Sequence, residues 1–260
     1  MKLFLAGLEM GHKVLKENDY LDSLTSYFYF KEKKDLEKFK DFRVFIDSGA
    51  FSAFTRGVII DIDEYCNWIK ANDWITQYSV LDCIGDAEGT LKNQKYMEEM
   101  GTKPIPCFHA KEDLKYLRYY CENYDYISLG GLVPYSKNRK TLMKILDEMF
   151  SVIKEYWPKK THGFGMTGLP ILERYPFYSV DSTSWLGGTK RSEVITFDYK
   201  LNTHYTQDKK IMNITPPIDI IDFNDDKNWY NRLAYNVREY KKIEEYITNL
   251  WEERGIIWKD

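Results

Sequence analysis

Short apolar runs recur along the chain, with longer amphipathic stretches between them. Lys2–Gly7 is the first run, and Arg43–Asp47 follows the highly charged stretch Lys31–Lys40. Trp74–Asp82 comes after a helical segment over Asp63–Asn72, and Pro104–His109 after a helix expected over Ala87–Met100. Tyr126–Gly131 follows Lys111–Asn123, and His162–Met166 follows the amphipathic stretch Arg139–Trp157. Phe177–Ser182 comes after Leu169–Tyr175, and a weaker run, Val194–Phe197, reads as the last strand. Past Pro216–Pro217 and the Asp-rich turn at Asp222–Asp226, positions Val237, Tyr240, Ile243, Ile247 and Leu250 step by three or four, which marks one face of a helix.

Buried strands alternating with helices predict a parallel α/β fold. Seven or eight such units in one chain of 260 residues favour a (β/α)8 TIM-type barrel over an open doubly wound sheet. The expected organisation is a single domain over 1–260, with a core over 1–200 and a C-terminal extension over 201–260 that ends in a helix.

Charge adds little. Lys plus Arg is 37 and Asp plus Glu is 40, a net charge of −3, which excludes a histone-like basic protein but not a local basic face. Hydrophobic residues at 43% fit a packed globule. No apolar run approaches the roughly 18 residues of a membrane helix. The opening stretch, Met1–Leu8, is too short for a secretory leader with a cleavage site. Cys66, Cys83, Cys107 and Cys121 are scattered without a C-x-x-C, so neither a zinc site nor a disulfide framework is expected, and a reducing cytoplasm is the simplest setting.

The chemistry sits where the strands stop. In such barrels the working groups lie at the C-terminal strand ends. Three of these ends carry an aspartate straight after an apolar run: Asp47, Asp82 and Asp181. A carboxylate there is partly desolvated and must be hydrogen-bonded or used. Each residue also has a plain structural reading. Asp47, Asp82 and Asp181 can cap the helices that follow, Gly130–Gly131 can be a turn, and His109 and His162 can be satisfied rim histidines. Convergence of three carboxylates and a Gly-Gly turn at one end of successive strands favours a site. Two carboxylates permit glycosidic chemistry, one attacking an anomeric carbon and the other moving protons. Backbone N–H groups at Gly-Gly can meet a flat ligand's carbonyl.

In this order these residues resemble the tRNA-guanine transglycosylase superfamily, and more closely its DNA-modifying branch, the deoxypurine-in-DNA protein A type. The likeness spans roughly residues 43–191. Asp47-Ser48-Gly49-Ala50-Phe51 is similar to the family's Asp-Ser-Gly-Gly-aromatic motif, which implies Asp47 as general acid/base and Phe51 stacked on the base. Asp82-Cys83 resembles the strand end whose aspartate reads the N1 and 2-amino edge of guanine. Gly130-Gly131-Leu132 resembles the loop whose backbone meets O6, and Gly163-Phe164-Gly165 the glycine-rich strand before the nucleophile. Asp181 matches the nucleophile itself.

The chain also departs from the family. The C-terminal zinc ligands that help dock tRNA are absent, and Trp185–Arg191 replaces the Pro-Thr-Arg after the nucleophile. The fourth-strand glutamine is replaced near His109, which would then face the base, and Ser136 stands where the loop's glutamate would be. The resemblance implies a pentosyltransferase that exchanges guanine in DNA for a 7-deazaguanine base such as 7-cyano-7-deazaguanine, through a covalent aspartyl-glycosyl intermediate. It needs no metal and no organic cofactor. Lys190, Arg191 and Arg139 are candidate phosphate contacts, with solvated surface charge as their plain reading. DNA is the expected partner and tRNA the alternative, with room for an accessory protein or a homodimer. The rival functions are exchange on tRNA, a hydrolytic N-glycosidase, and an inactive nucleic-acid-binding barrel.

Overall fold

The structure, a computed structural model, describes residues 1–187, 194–198, 203–207 and 228–258. Eight parallel strands form its centre: β1 (Lys2–Ala6), β2 (Asp22–Ser26), β3 (Arg43–Asp47), β4 (Gln77–Tyr78), β5 (Cys107–His109), β6 (Tyr126–Gly130), β7 (Lys160–Gly163) and β8 (Ser179–Ser182). Each pairs with its neighbours in chain order, and β8 returns to β1. The last gap, between β4 and β5, is joined by one parallel bridge, Ser79 to Ile105. There Ile105 N–H donates to Tyr78 O at 2.8 Å and Val80 N–H to Ile105 O at 3.0 Å. The expected (β/α)8 architecture is therefore the observed one.

Helices α1 (Leu8–Glu17), α2 (Tyr27–Phe30), α3 (Ala50–Thr55), α4 (Ile62–Ala71), α5 (Ala87–Glu99), α6 (Leu114–Asn123), α7 (Arg139–Ile153) and α8 (Leu169–Leu172) alternate with the strands. Period-two alternation sends Leu3, Leu5, Val44, Ile46, Ile127, Leu129 and Val180 outward to the helices. The same alternation sends Phe4, Ala6, Leu24 and Phe45 into the barrel, where Phe164 and Ile105 join them. No described helix is long and apolar enough to cross a membrane.

The structure corrects two sequence expectations. The strand β2 is missing from the apolar pattern because its outward positions are Ser23 and Thr25. Their hydroxyls are used, Ser23 Oγ donating to Leu5 O at 2.6 Å and Thr25 Oγ1 to Glu9 Oε2 at 2.8 Å. Val194–Phe197 is not the last barrel strand. It lies in β9 (Val194–Asp198), which pairs antiparallel with β10 (Thr203–Gln207) in a separate sheet. Its outer edge is held by the C-terminal helix (Trp229–Glu253): Ile195 N–H donates to Asn236 Oδ1 at 2.8 Å and Phe197 N–H to Glu239 Oε2 at 2.7 Å.

That helix shares one continuous core with the barrel. It also reaches β1, where Leu3 N–H donates to Glu244 Oε1 at 2.9 Å. The Tyr20 hydroxyl lies 2.5 Å from Leu3 O and 3.0 Å from Glu244 Oε2. The hydroxyl can donate to either acceptor, and when it donates to Glu244 it favours the charged carboxylate. Burial pushes Glu244 up to about 7, with the charge of Asp22 adding to it. A carboxyl raised in the folded state loses stability for the fold as pH climbs from the unfolded value, near 4, to about 7. Glu244→Gln keeps the acceptor and the donor without the titration. We expect it to match the wild type at pH 5 and to exceed it by about 2 kcal/mol at pH 8, read by urea denaturation; equal gaps at both pH values would contradict this.

Candidate active site

Asp47, Asp82 and Asp181 meet at the C-terminal mouth of the barrel. Asp47 ends β3, Asp82 follows β4, and Asp181 is the third residue of β8. The Asp47 carboxylate accepts from Gly49 N–H at 3.1 Å, so it begins the turn into α3. Burial raises its pKa, and the negative charges of Asp82 and Asp181 raise it further; the N–H groups of Gly49 and Ser48 offset this only in part. The Asp47 carboxyl is pushed up to about 7. It can therefore give or take a proton near neutrality.

Asp82 is held on both sides. Its Oδ1 accepts from Ser48 Oγ at 2.7 Å and its Oδ2 lies 2.9 Å from His109 Nε2. The other ring nitrogen, Nδ1, lies 3.2 Å from Glu112 Oε1, and Glu112 Oε2 accepts His109 N–H at 3.0 Å. All three side chains are only 10–12% exposed. Burial works against a charge on His109, but the surrounding partners win and hold it well above its ordinary range. Of these partners, Asp82 and Glu112 carry the effect. The buried Cys107 thiol, itself pushed up by burial, stays neutral at 3.7 Å and contributes weakly. His109 is thus a cation between two carboxylates, and with both nitrogens engaged it reaches the site through Asp82.

Gly130 makes room for this cation. A Cβ there would stand 2.7 Å from His109 Cδ2 and 2.9 Å from Cys107 Sγ. Gly130→Ala is expected to displace the imidazole from Asp82 and to lower stability by about 1–3 kcal/mol. A denaturation midpoint equal to the wild type's would contradict it. Among the described residues, the N–H of Gly131 meets no protein acceptor, and Gly131 is exposed, so it is open to a ligand. The Leu132 side chain itself is fully buried.

Asp181 is 8% exposed. Its Oδ1 accepts from Gly165 N–H at 2.7 Å. Gly165 has φ +68°, a left-handed backbone that a side chain would strain. Among the described residues Oδ2 has no protein partner. Behind the carboxylate sits His162, fully buried, with Nε2 3.5 Å from Asp181 Oδ1.

Phe51 lies at the rim, 62% exposed, in the first turn of α3. It does not line the adjoining cavity of about 340 Å³; Phe54, one turn on, does, together with Ala50, Ile60, Leu81, Asp82 and Cys83. With Val58 and the 93%-exposed Ile59, Phe54 forms an apolar ledge beside Asp82. Arg139 is exposed at the start of α7, in a surface cleft that shares no residue with the carboxylates. Lys190 and Arg191 fall outside the described residues.

Sequence reasoning missed Ser48, Glu112 and Phe54, and left His162 unplaced. The Glu three residues after His109 was the available signal for one of them. Nothing local signalled Phe54.

No protein-family model matches the chain. No curated protein matches it in sequence either.

Proposed function

We propose that this barrel is a base-exchanging pentosyltransferase that replaces guanine in DNA with a 7-deazaguanine base. The observation that carries the reading is a pair of unlike carboxyls at one barrel mouth. Asp47 holds its proton up to about pH 7, while Asp181 is fixed through one oxygen and open at the other. In the first half-reaction Asp181 Oδ2 attacks C1′ of the deoxyribose. A C1′–O bond forms, the C1′–N9 bond breaks, and guanine leaves with the Asp47 proton. In the second, the incoming base gives its ring N–H proton to Asp47 and that nitrogen attacks C1′. The ester bond breaks and Asp181 is released as a carboxylate. Asp82, backed by His109 and Glu112, is a fixed acceptor for the N1–H and amino edge of either base. The Gly131 N–H suits the O6 carbonyl, and Phe54 on the ledge, with the exposed Phe51, offers apolar faces to bases drawn out of a duplex.

The four cysteines are scattered and supply no zinc module of the tRNA-docking kind, which favours DNA over tRNA. The test is retention of labelled 7-cyano-7-deazaguanine or guanine in duplex DNA and, in parallel, in bulk tRNA. Label in DNA supports the reading. Label in tRNA alone moves the same chemistry to RNA, release of free guanine without incorporation makes the protein a hydrolase, and silence in every arm overturns the enzyme reading.

A further inference from the structure

A row of buried polar groups lies under Asp181 and takes no part in the steps above. His162 is packed among Phe4, Phe45 and Phe164, with ring centroids 6.0, 4.6 and 4.6 Å away. Its Nδ1 is 2.6 Å from Ser179 Oγ, and the Tyr126 hydroxyl is 2.5 Å from the same oxygen. Its Nε2 has no hydrogen-bond partner among the described residues, yet it points toward Asp181 Oδ1 at 3.5 Å. A polar nitrogen left unpaired in an apolar layer is costly, so its aim needs a reason.

Taken with the Tyr126 hydroxyl as the donor, the row has one direction. The Tyr126 hydroxyl has one proton and, among the described residues, one acceptor, Ser179 Oγ. Ser179 then donates its own proton to His162 Nδ1. Burial holds His162 below its ordinary range, with Asp181 opposing in part, so the ring is uncharged and its single proton sits on Nε2.

Resting on the transglycosylase reading, we propose that His162 is the positioning residue of Asp181: its Nε2–H, set by the Tyr126–Ser179 row, joins the Gly165 N–H in engaging Oδ1, so that Oδ2 is the oxygen that bonds carbon. In the glycosyl ester Oδ1 is the carbonyl oxygen. When the incoming base attacks C1′, the bonding pair returns to Oδ2 and its charge is shared with Oδ1, which two donors already face. An uncharged donor does this without forming an ion pair that would blunt the nucleophile.

The test combines a spectroscopic and a kinetic arm on the full chain. Nitrogen-15 histidine NMR of the wild type should show His162 as the Nε2-protonated tautomer between pH 5.5 and 8. Ser179→Ala should mix the tautomers, and Asp181→Asn should move the Nε2–H resonance. In base exchange His162→Leu should lower kcat about 10- to 100-fold with KM little changed. His162→Gln, whose amide nitrogen can occupy the Nε2 position, should recover most of that loss. A wild-type proton on Nδ1, a charged ring, or a resonance indifferent to Asp181→Asn overturns the pairing. A folded His162→Leu protein exchanging at the wild-type rate overturns the role. If His162→Leu does not fold, Ser179→Ala carries the kinetic arm, with a smaller loss of kcat expected and an unchanged kcat counting against the role. If the wild type itself exchanges no base, the functional reading fails while the NMR arm still decides the His162–Asp181 pairing.

Discussion

Replacing Asp181 with Asn is expected to abolish base exchange, by at least about 1,000-fold, with the fold intact. The amide oxygen can still accept from Gly165 N–H at the place where Oδ1 sits 2.7 Å away. What it lacks is the negative oxygen that forms the bond to C1′. The loss should therefore appear in kcat rather than in DNA binding, and the protein–deoxyribose adduct expected of the wild type by mass spectrometry should be absent. Exchange within tenfold of the wild-type rate would remove Asp181 as the nucleophile.

Asp47→Asn should lower guanine release about 100- to 10,000-fold, the usual contribution of a positioned acid. Its pH signature is specific. In the wild type, guanine release in a single turnover should fall as pH rises through about 7, because Asp47 is then losing its proton. The residual rate of the variant should not bend there. The variant's stability should change in the opposite direction to its activity. A carboxyl raised by burial and by two neighbouring charges stabilises the fold less and less as pH rises from about 4 to about 7. Removing that titration should stabilise the protein above pH 7 by roughly 1–3 kcal/mol. A less active, more stable variant fits a group held against its own preference for function. A variant that loses activity and stability together would point to a merely structural Asp47.

Much of this site is legible in the sequence because barrel chemistry collects at strand ends, and the aspartates follow recognisable apolar runs. Asp47 and Asp181 close such runs, and the structure brings both to one mouth with Asp82. The parts that stayed hidden depend on partners far along the chain. Strand β2 is polar on its outward face because Ser23 and Thr25 hydrogen-bond to β1 and α1, so no apolar pattern betrays it. Val194–Phe197 has a strand's composition, yet composition cannot tell a barrel strand from a hairpin whose edge amides are met by Asn236 and Glu239. The histidines show the same limit. His109 and His162 look alike as rim residues in the sequence, but two carboxylates make one a cation while an aromatic layer keeps the other uncharged.

The way the barrel closes has a consequence for how the protein is made. Strand β1 is synthesised before the other seven barrel strands, yet one edge waits for β8, where Phe4 stands beside Asp181. Its Leu3 amide also waits for Glu244, 241 residues later. At ordinary rates of translation β8 follows β1 by an interval on the order of 10–40 s. Throughout it, an apolar strand has an unpaired side. The mouth that gathers Asp47, Asp82 and Asp181 cannot exist in any nascent chain shorter than β8, and release of a truncated product would expose a sticky strand edge rather than a weakened barrel.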